Sequence, residues 1–293
     1  MSAIWLPILF AVFLWWFSTG AVLLADRMKR ISSSNALLAA SLLSVAAIAA
    51  LLMTRDDATA AGAYVGFTAG LVLWGWHEVS FLSGVITGPR RGDCPTPARG
   101  WRRFIYAAQT LIHHEIAIAI TVLALGIFFL GSANPIGFWT FTILWIMRLS
   151  AKMNIFFGVP NVTEEFLPAR LTYLKTYFRK APMNTFFPVS ITLGTALTFW
   201  LFHGALLPEA TPYETASYAL LATLAGLAIV EHWFLVLPLR DAALWRWYLG
   251  KNEPTARLSH GTGMMDSPPS SAGPVGAGPV GVTTVLRRHP HGL

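Results

Sequence analysis

Seven stretches of this chain are long and apolar enough to cross a bilayer, at residues 4–24, 36–53, 61–87, 105–130, 136–157, 184–207 and 214–238. About 20 such residues in a helix span a hydrocarbon core of roughly 30 Å. No water pairs with the backbone at that depth, and a helix satisfies every N–H and C=O within its own segment. The expected fold is therefore all-α, a polytopic integral membrane protein with about seven transmembrane helices. Only 12% of the residues are charged against 55% hydrophobic, which excludes an ordinary water-soluble domain. The third and fourth stretches exceed the minimum length, so tilt or interfacial overhang is expected there.

The basic residues orient these spans. Of 21 lysines and arginines, 20 fall on one side and Arg55 alone on the other. Lys/Arg excess marks the cytoplasmic face, which predicts a periplasmic N-terminus and a cytoplasmic C-terminus. No positive region precedes the first apolar run, so that run reads as an anchor rather than a cleaved signal. The net charge of +7 then reflects topology and attraction to an anionic lipid bilayer. No basic patch is interleaved with polar contacts, and nucleic acid is not an expected partner. Cys94 is the single cysteine; in an Arg-rich cytoplasmic loop it is expected as a reduced thiol.

Three stretches depart from plain membrane helix. The proline-rich loop 89–97 needs packing to be ordered. Across 161–181, Leu167, Leu171, Leu174 and Phe178 recur at helical spacing among basic residues, which predicts a cytoplasmic amphipathic helix lying in the interface. Pro168 fits its first turn, and Glu164 and Glu165 read as that turn's acidic residues. The bundle is expected over 1–250. Residues 251–293 are rich in Gly, Pro and Ser and are expected to form a disordered cytoplasmic tail.

Ionisable residues at bilayer depth cost about 2.5–3.5 kcal/mol each on insertion scales, so they mark candidate sites. Three spans carry such residues side by side: His77-Glu78, His113-His114-Glu115 and Glu231-His232. His77 lies 13 positions before Arg90, a rise of roughly 20 Å. His113 lies 10 positions after Arg103 and Glu231 lies 9 before Arg240, or about 15 and 13 Å. All fall in one slab between the bilayer middle and the cytoplasmic leaflet, with Asn154 at its edge. His203 sits near the outer end of its span and is set apart. Neighbours on a helix point about 100° apart, so at most two of His113, His114 and Glu115 can converge.

Two readings of this layer stand open. One is a set of separate interhelical hydrogen bonds. The other is a ligand site, with His77, His113, His114 and His232 as candidate ligands for a transition metal or for the magnesium of a bacteriochlorophyll-type pigment. Tryptophans near His77 and His232, among them Trp74, Trp76 and Trp233, also suit a flat apolar ligand. The His-x-x-x-His, His-x-x-His-His and Glu-x-x-His spacings of membrane di-iron enzymes are missing.

Several motifs in order carry a family likeness: Trp74-Gly75-Trp76-His77-Glu78-Val79-Ser80-Phe81-Leu82, then Gly88-Pro89-Arg90, His113-His114-Glu115, the run from Lys152 through Asn154 to Asn161, and Glu231-His232-Trp233-Phe234. Over about residues 1–250 the chain resembles the photosynthetic complex assembly proteins of purple phototrophic bacteria, the PuhE type. That resemblance implies a multi-pass protein of the bacterial cytoplasmic or intracytoplasmic photosynthetic membrane. It implies a biogenesis factor whose partners are reaction-centre or light-harvesting subunits or pigment-synthesis proteins, and it carries over no catalytic residue. The alternatives are an integral-membrane His/Glu metalloenzyme acting on a tetrapyrrole or carotenoid, and a proton or small-solute transporter using the same carboxylates.

Overall fold

A computed structural model describes residues 2–27, 33–162 and 167–237. The expected tail at 251–293, with Glu164 and Glu165, lies outside the described residues. Eight α-helices are described: α1 (Ser2–Arg27), α2 (Ser33–Met53), α3 (Ala60–Leu82), α4 (Gly100–Gln109), α5 (Ile112–Phe128), α6 (Ile136–Phe157), α7 (Phe186–Ala205) and α8 (Pro212–Phe234). A 3₁₀ helix runs over Ala169–Tyr177 between α6 and α7.

Four of these helices, α1, α2, α7 and α8, are long and apolar enough to cross a membrane, and α4 with α5 makes a fifth if the bent pair is one span. Each of the seven expected segments holds most or all of one of these helices or, for the fourth, part of α4 and all of α5, but α3 and α6 fall short on composition. α3 dilutes its aliphatic residues with glycine, tryptophan, His77 and Glu78, and α6 carries Arg148, Lys152 and Asn154. Their placement explains the tolerance. α3, α6 and α8 pack on one another, with α1 and α2 against α3, α5 against α3 and α6, and α7 against α6 and α8. The outer helices turn large apolar side chains outward, such as Leu6 on α1 and Phe199 on α7, as lipid-facing surfaces do.

Small residues bring the inner helices together. Gly62, Gly66 and Gly70 recur every four residues on α3 and are all buried, the spacing that lets membrane helices approach closely. A Cβ on Gly70 would lie 2.7 Å from the Gly137 carbonyl oxygen of α6. Gly70→Val is therefore expected to cost about 1–3 kcal/mol, seen as a lower unfolding temperature in detergent. Gly75→Val is the control, because nothing lies within 4 Å of a Cβ there; equal losses at both positions would refute the close crossing.

Helix ends are fixed by local hydrogen bonds. Thr59 Oγ1 accepts from Gly62 N at the start of α3, and Thr211 and Glu214 form a reciprocal capping box around Pro212 at the start of α8. Asn184 Oδ1 accepts from Phe186 N and Phe187 N at 2.9 Å each, while its Nδ2 donates to Gly158 O and Asn154 O at the end of α6. Asn161 Nδ2 donates to Phe234 O and Leu237 O, closing the end of α8. At the opposite end, Arg55 donates to Phe128 O and Leu130 O at 2.9 Å each. Buried Asn134 there donates to Thr54 O and Gly62 O and accepts from Tyr213 Oη.

Two expectations are corrected. The fourth segment is not one helix: it breaks at Thr110–Leu111 and α4 bends 68° from α5. The break frees backbone groups that must be paired, and the chain following α3 pairs them. His114 N donates to Thr87 O at 3.0 Å and Arg90 N to Gln109 O at 3.1 Å. α3 ends at Leu82, so residues up to 87 belong to this tucked-in turn rather than to a longer span. The second correction concerns 161–181, where the described part forms the 3₁₀ helix instead of an amphipathic α-helix. Leu171 and Leu174 are buried against Phe81, and Pro168 precedes the first turn. The same element packs the proline-rich loop: Arg90 Nε donates to Tyr177 Oη at 2.7 Å, and Cys94 N to Thr176 Oγ1 at 2.9 Å.

Candidate functional site

The polar residues of α6 organise the layer. Arg148, Ser150, Lys152 and Asn154 alternate along its last turns, and successive alternate positions on a helix point about 200° apart. They therefore reach neighbours on opposite sides, where α3, α5, α7 and α8 supply the complementary groups.

On one side two carboxylates meet two cations. Lys152 Nζ lies 2.7 Å from Glu115 Oε1 of α5, and Trp145 Nε1 donates to Glu115 Oε2 at 3.0 Å. One turn earlier, Arg148 Nη2 lies 3.4 Å from Glu78 Oε2 of α3. The Glu78 and Glu115 side chains are only 14% and 13% exposed, so each charge is shielded and answered. Lys152 Nζ also stands 5.5 Å from the centre of the Phe81 ring.

Between these pairs sits His114, fully enclosed at 0% exposure. Its Nε2 is 3.9 Å from Glu78 Oε1, beyond hydrogen-bonding reach. Both ring nitrogens lack a partner among the described residues, as does Glu78 Oε1. Phe81 packs on the ring at 4.8 Å between centroids, and His77 stands 6.4 Å away. His77 Nε2 meets Thr121 Oγ1 of α5 at 3.0 Å, while its Nδ1 is also unpartnered. This cluster therefore offers three imidazole nitrogens and one carboxylate oxygen in an aromatic-walled interior that includes Phe141.

On the other side most groups are paired, although Asn154 Oδ1 has no partner among the described residues. His232 shares its Nδ1 with Ala228 O at 2.8 Å and its Nε2 with Ser150 Oγ at 3.0 Å. Glu231 Oε1 accepts from Trp15 Nε1 of α1 at 2.9 Å. Asn154 is buried and donates to Ser150 O and to Ser190 Oγ of α7 at 3.0 Å each. His113 goes elsewhere: it is exposed on α5, at the head of an outward aliphatic stripe that includes Ile116, Ile120 and Ile127.

The structure thus brings His77, Glu78, His114 and Glu115 together, links Asn154 and His232 to them through α6, and turns His113 outward. Among the described residues no three His, Cys, Asp or Glu side chains form a metal-binding group. The expected set of His77, His113 or His114, and His232 does not converge, because His113 is exposed and His232 is occupied by Ser150. Sequence reasoning passed over Arg148 and Lys152 by counting them only as cytoplasmic charges. Their spacing of four within an apolar helix was the available signal. The depth estimate for His113 presumed a straight helix from Arg103, and the bend removes that premise.

The chain belongs to the DUF3623 family, described as a protein of unknown function, whose model matches residues 1–256. A curated relative from Rhodobacter capsulatus is 39% identical over 264 residues, covering 87% of this chain and 94% of its own. It is described as an uncharacterized 30.4 kDa protein in the puhA 5′ region. No solved structure matches.

Proposed function

We propose that the protein is a biogenesis factor of the photosynthetic membrane, holding pigment or pigment-protein intermediates while reaction-centre and light-harvesting complexes are built. The observation that carries this reading is the position of the 39% identical relative in the puhA 5′ region of a purple phototroph. The narrower kinship to PuhE-type assembly proteins, the seven crossings and the outside N-terminus belong to the same proposal. So does the polar layer of His77, Glu78, His113, His114, Glu115, Asn154, Glu231 and His232 as the functional part of the bundle.

Within it, His113 has a distinct role. Exposed beside an aliphatic stripe, it is the imidazole that a pigment or partner helix arriving through lipid would meet first. The enclosed groups behind it set the position of α5.

Deleting the gene in a phototrophic host tests the reading by the near-infrared absorption bands of reaction centre and antenna in isolated membranes. Loss of those bands supports it, and an unchanged spectrum overturns it. His113→Ala is expected to lower the bands while the protein accumulates at its usual level, because an exposed side chain contributes within about 0.5 kcal/mol to stability.

A further inference from the structure

The first turns of α4 sort their residues by face. Trp101, Phe104, Ile105 and Ala108 lie on one side at helical spacing, and Arg102, Arg103 and Tyr106 on the other. No residue of this helix is fully buried, and Trp101 is 71% exposed. A tryptophan in that setting suits the headgroup level of a bilayer, where amphipathic rings settle.

Beside this helix is a cavity of about 430 Å³, walled by Trp101, Phe104, Phe156 and Phe157 and bearing Arg103 and Arg179. The volume lies within the range of about 300–1,000 Å³ typical of ligand pockets. The walls form a continuous aromatic surface, with Trp101 stacked on Phe104 at 4.9 Å and Phe104 edge-on to Phe156 at 5.6 Å. Among the described residues no carboxylate lines it, so none of them neutralises its two positive charges from within.

The two arginines differ in how they are held. Arg103 donates to Phe156 O and Tyr177 O and lies 4.3 Å from the centre of the Phe156 ring. Arg179 is exposed, and its stem runs along Gly158, where a Cβ would stand 3.2 Å from Arg179 Cγ. Gly158 has φ +121°, a conformation that L side chains rarely adopt. The Arg179 guanidinium donates no hydrogen bond among the described residues.

We propose that this pocket binds an anionic phospholipid, with the phosphate at Arg103 and Arg179 and the upper acyl chain against Phe104, Phe156 and Phe157. Guanidinium groups pair with phosphate through charge-assisted hydrogen bonds. Basic pockets at the cytoplasmic ends of membrane helices recognise acidic headgroups in this way. The aromatic walls add the apolar contact that a free anion cannot use, which favours a lipid over a soluble phosphate.

The full-length protein in detergent, mixed with equal amounts of phosphatidylglycerol and phosphatidylcholine, tests this by native mass spectrometry. Wild type is expected to retain phosphatidylglycerol over phosphatidylcholine by about fivefold or more per arginine engaged, and Arg179→Gln to lose most of that preference. Arg103→Gln also removes backbone hydrogen bonds, so Arg179→Gln, which removes none, is the deciding variant. Equal retention of the two lipids by wild type, or an unchanged preference in Arg179→Gln, overturns the proposal. Displacement of the lipid by millimolar inorganic phosphate would also overturn it by marking a site for any free anion, whereas resistance to phosphate supports it.

Discussion

Lys152→Met is expected to lower the unfolding free energy by about 3–5 kcal/mol, the cost of stranding a shielded charge. The ammonium lies 2.7 Å from Glu115 Oε1, and the carboxylate is 13% exposed. Methionine fills a similar volume, so packing changes little while Glu115 loses its counter-charge and keeps only the Trp145 indole at 3.0 Å. The double variant Lys152→Met/Glu115→Gln removes both charges and leaves Trp145 an acceptor, so most of the loss should return. Thermal unfolding in detergent measures both. A Lys152→Met loss under about 1 kcal/mol is what a solvated surface pair gives, and it would show that the layer is wetter than its burial implies.

The same pair shows what the sequence made legible. Apolar length announced a helical membrane protein, because the bilayer leaves few other ways to satisfy a backbone. The His and Glu residues of the apolar segments pointed to His77, Glu78, His114 and Glu115, which α3 and α5 bring together beside α6, but also to His113, which is exposed. Which of them touch was not legible, since a helix gives each residue a direction only once its neighbours are known. Arg148 and Lys152 read as topology signals because charge bias is counted along the chain, whereas pairing is settled across it. Glu78 and Glu115 come from helices that the chain order separates by the α4 break, and that break had no proline to betray it. It persists because Thr87 and Arg90 pair the freed backbone groups, a contact between segments that local periodicity does not record. The 3₁₀ helix went unseen for a related reason: its leucines follow a helical pattern, but they answer to Phe81 rather than to a lipid surface.

His114→Phe is expected to separate stability from function. The imidazole is fully enclosed and neither ring nitrogen has a partner among the described residues. A buried polar group left unpaired costs about 1–3 kcal/mol, and phenylalanine would keep the contact with Phe81 without that cost. The variant should therefore unfold at the wild-type temperature or above it. Stability alone gives no reason to keep a histidine there, and unsatisfied groups in a core call for another explanation. On the proposed function, the reason is the group of unpartnered atoms shared with His77 and Glu78. The reaction-centre and antenna bands of a His114→Phe strain should then fall several-fold although the protein accumulates normally. His77→Phe, which breaks the 3.0 Å contact with Thr121, should lower both stability and the bands. A stable His114→Phe strain with full bands would make the imidazole dispensable and reduce the layer to the ion pairs that hold α3 and α5 to α6.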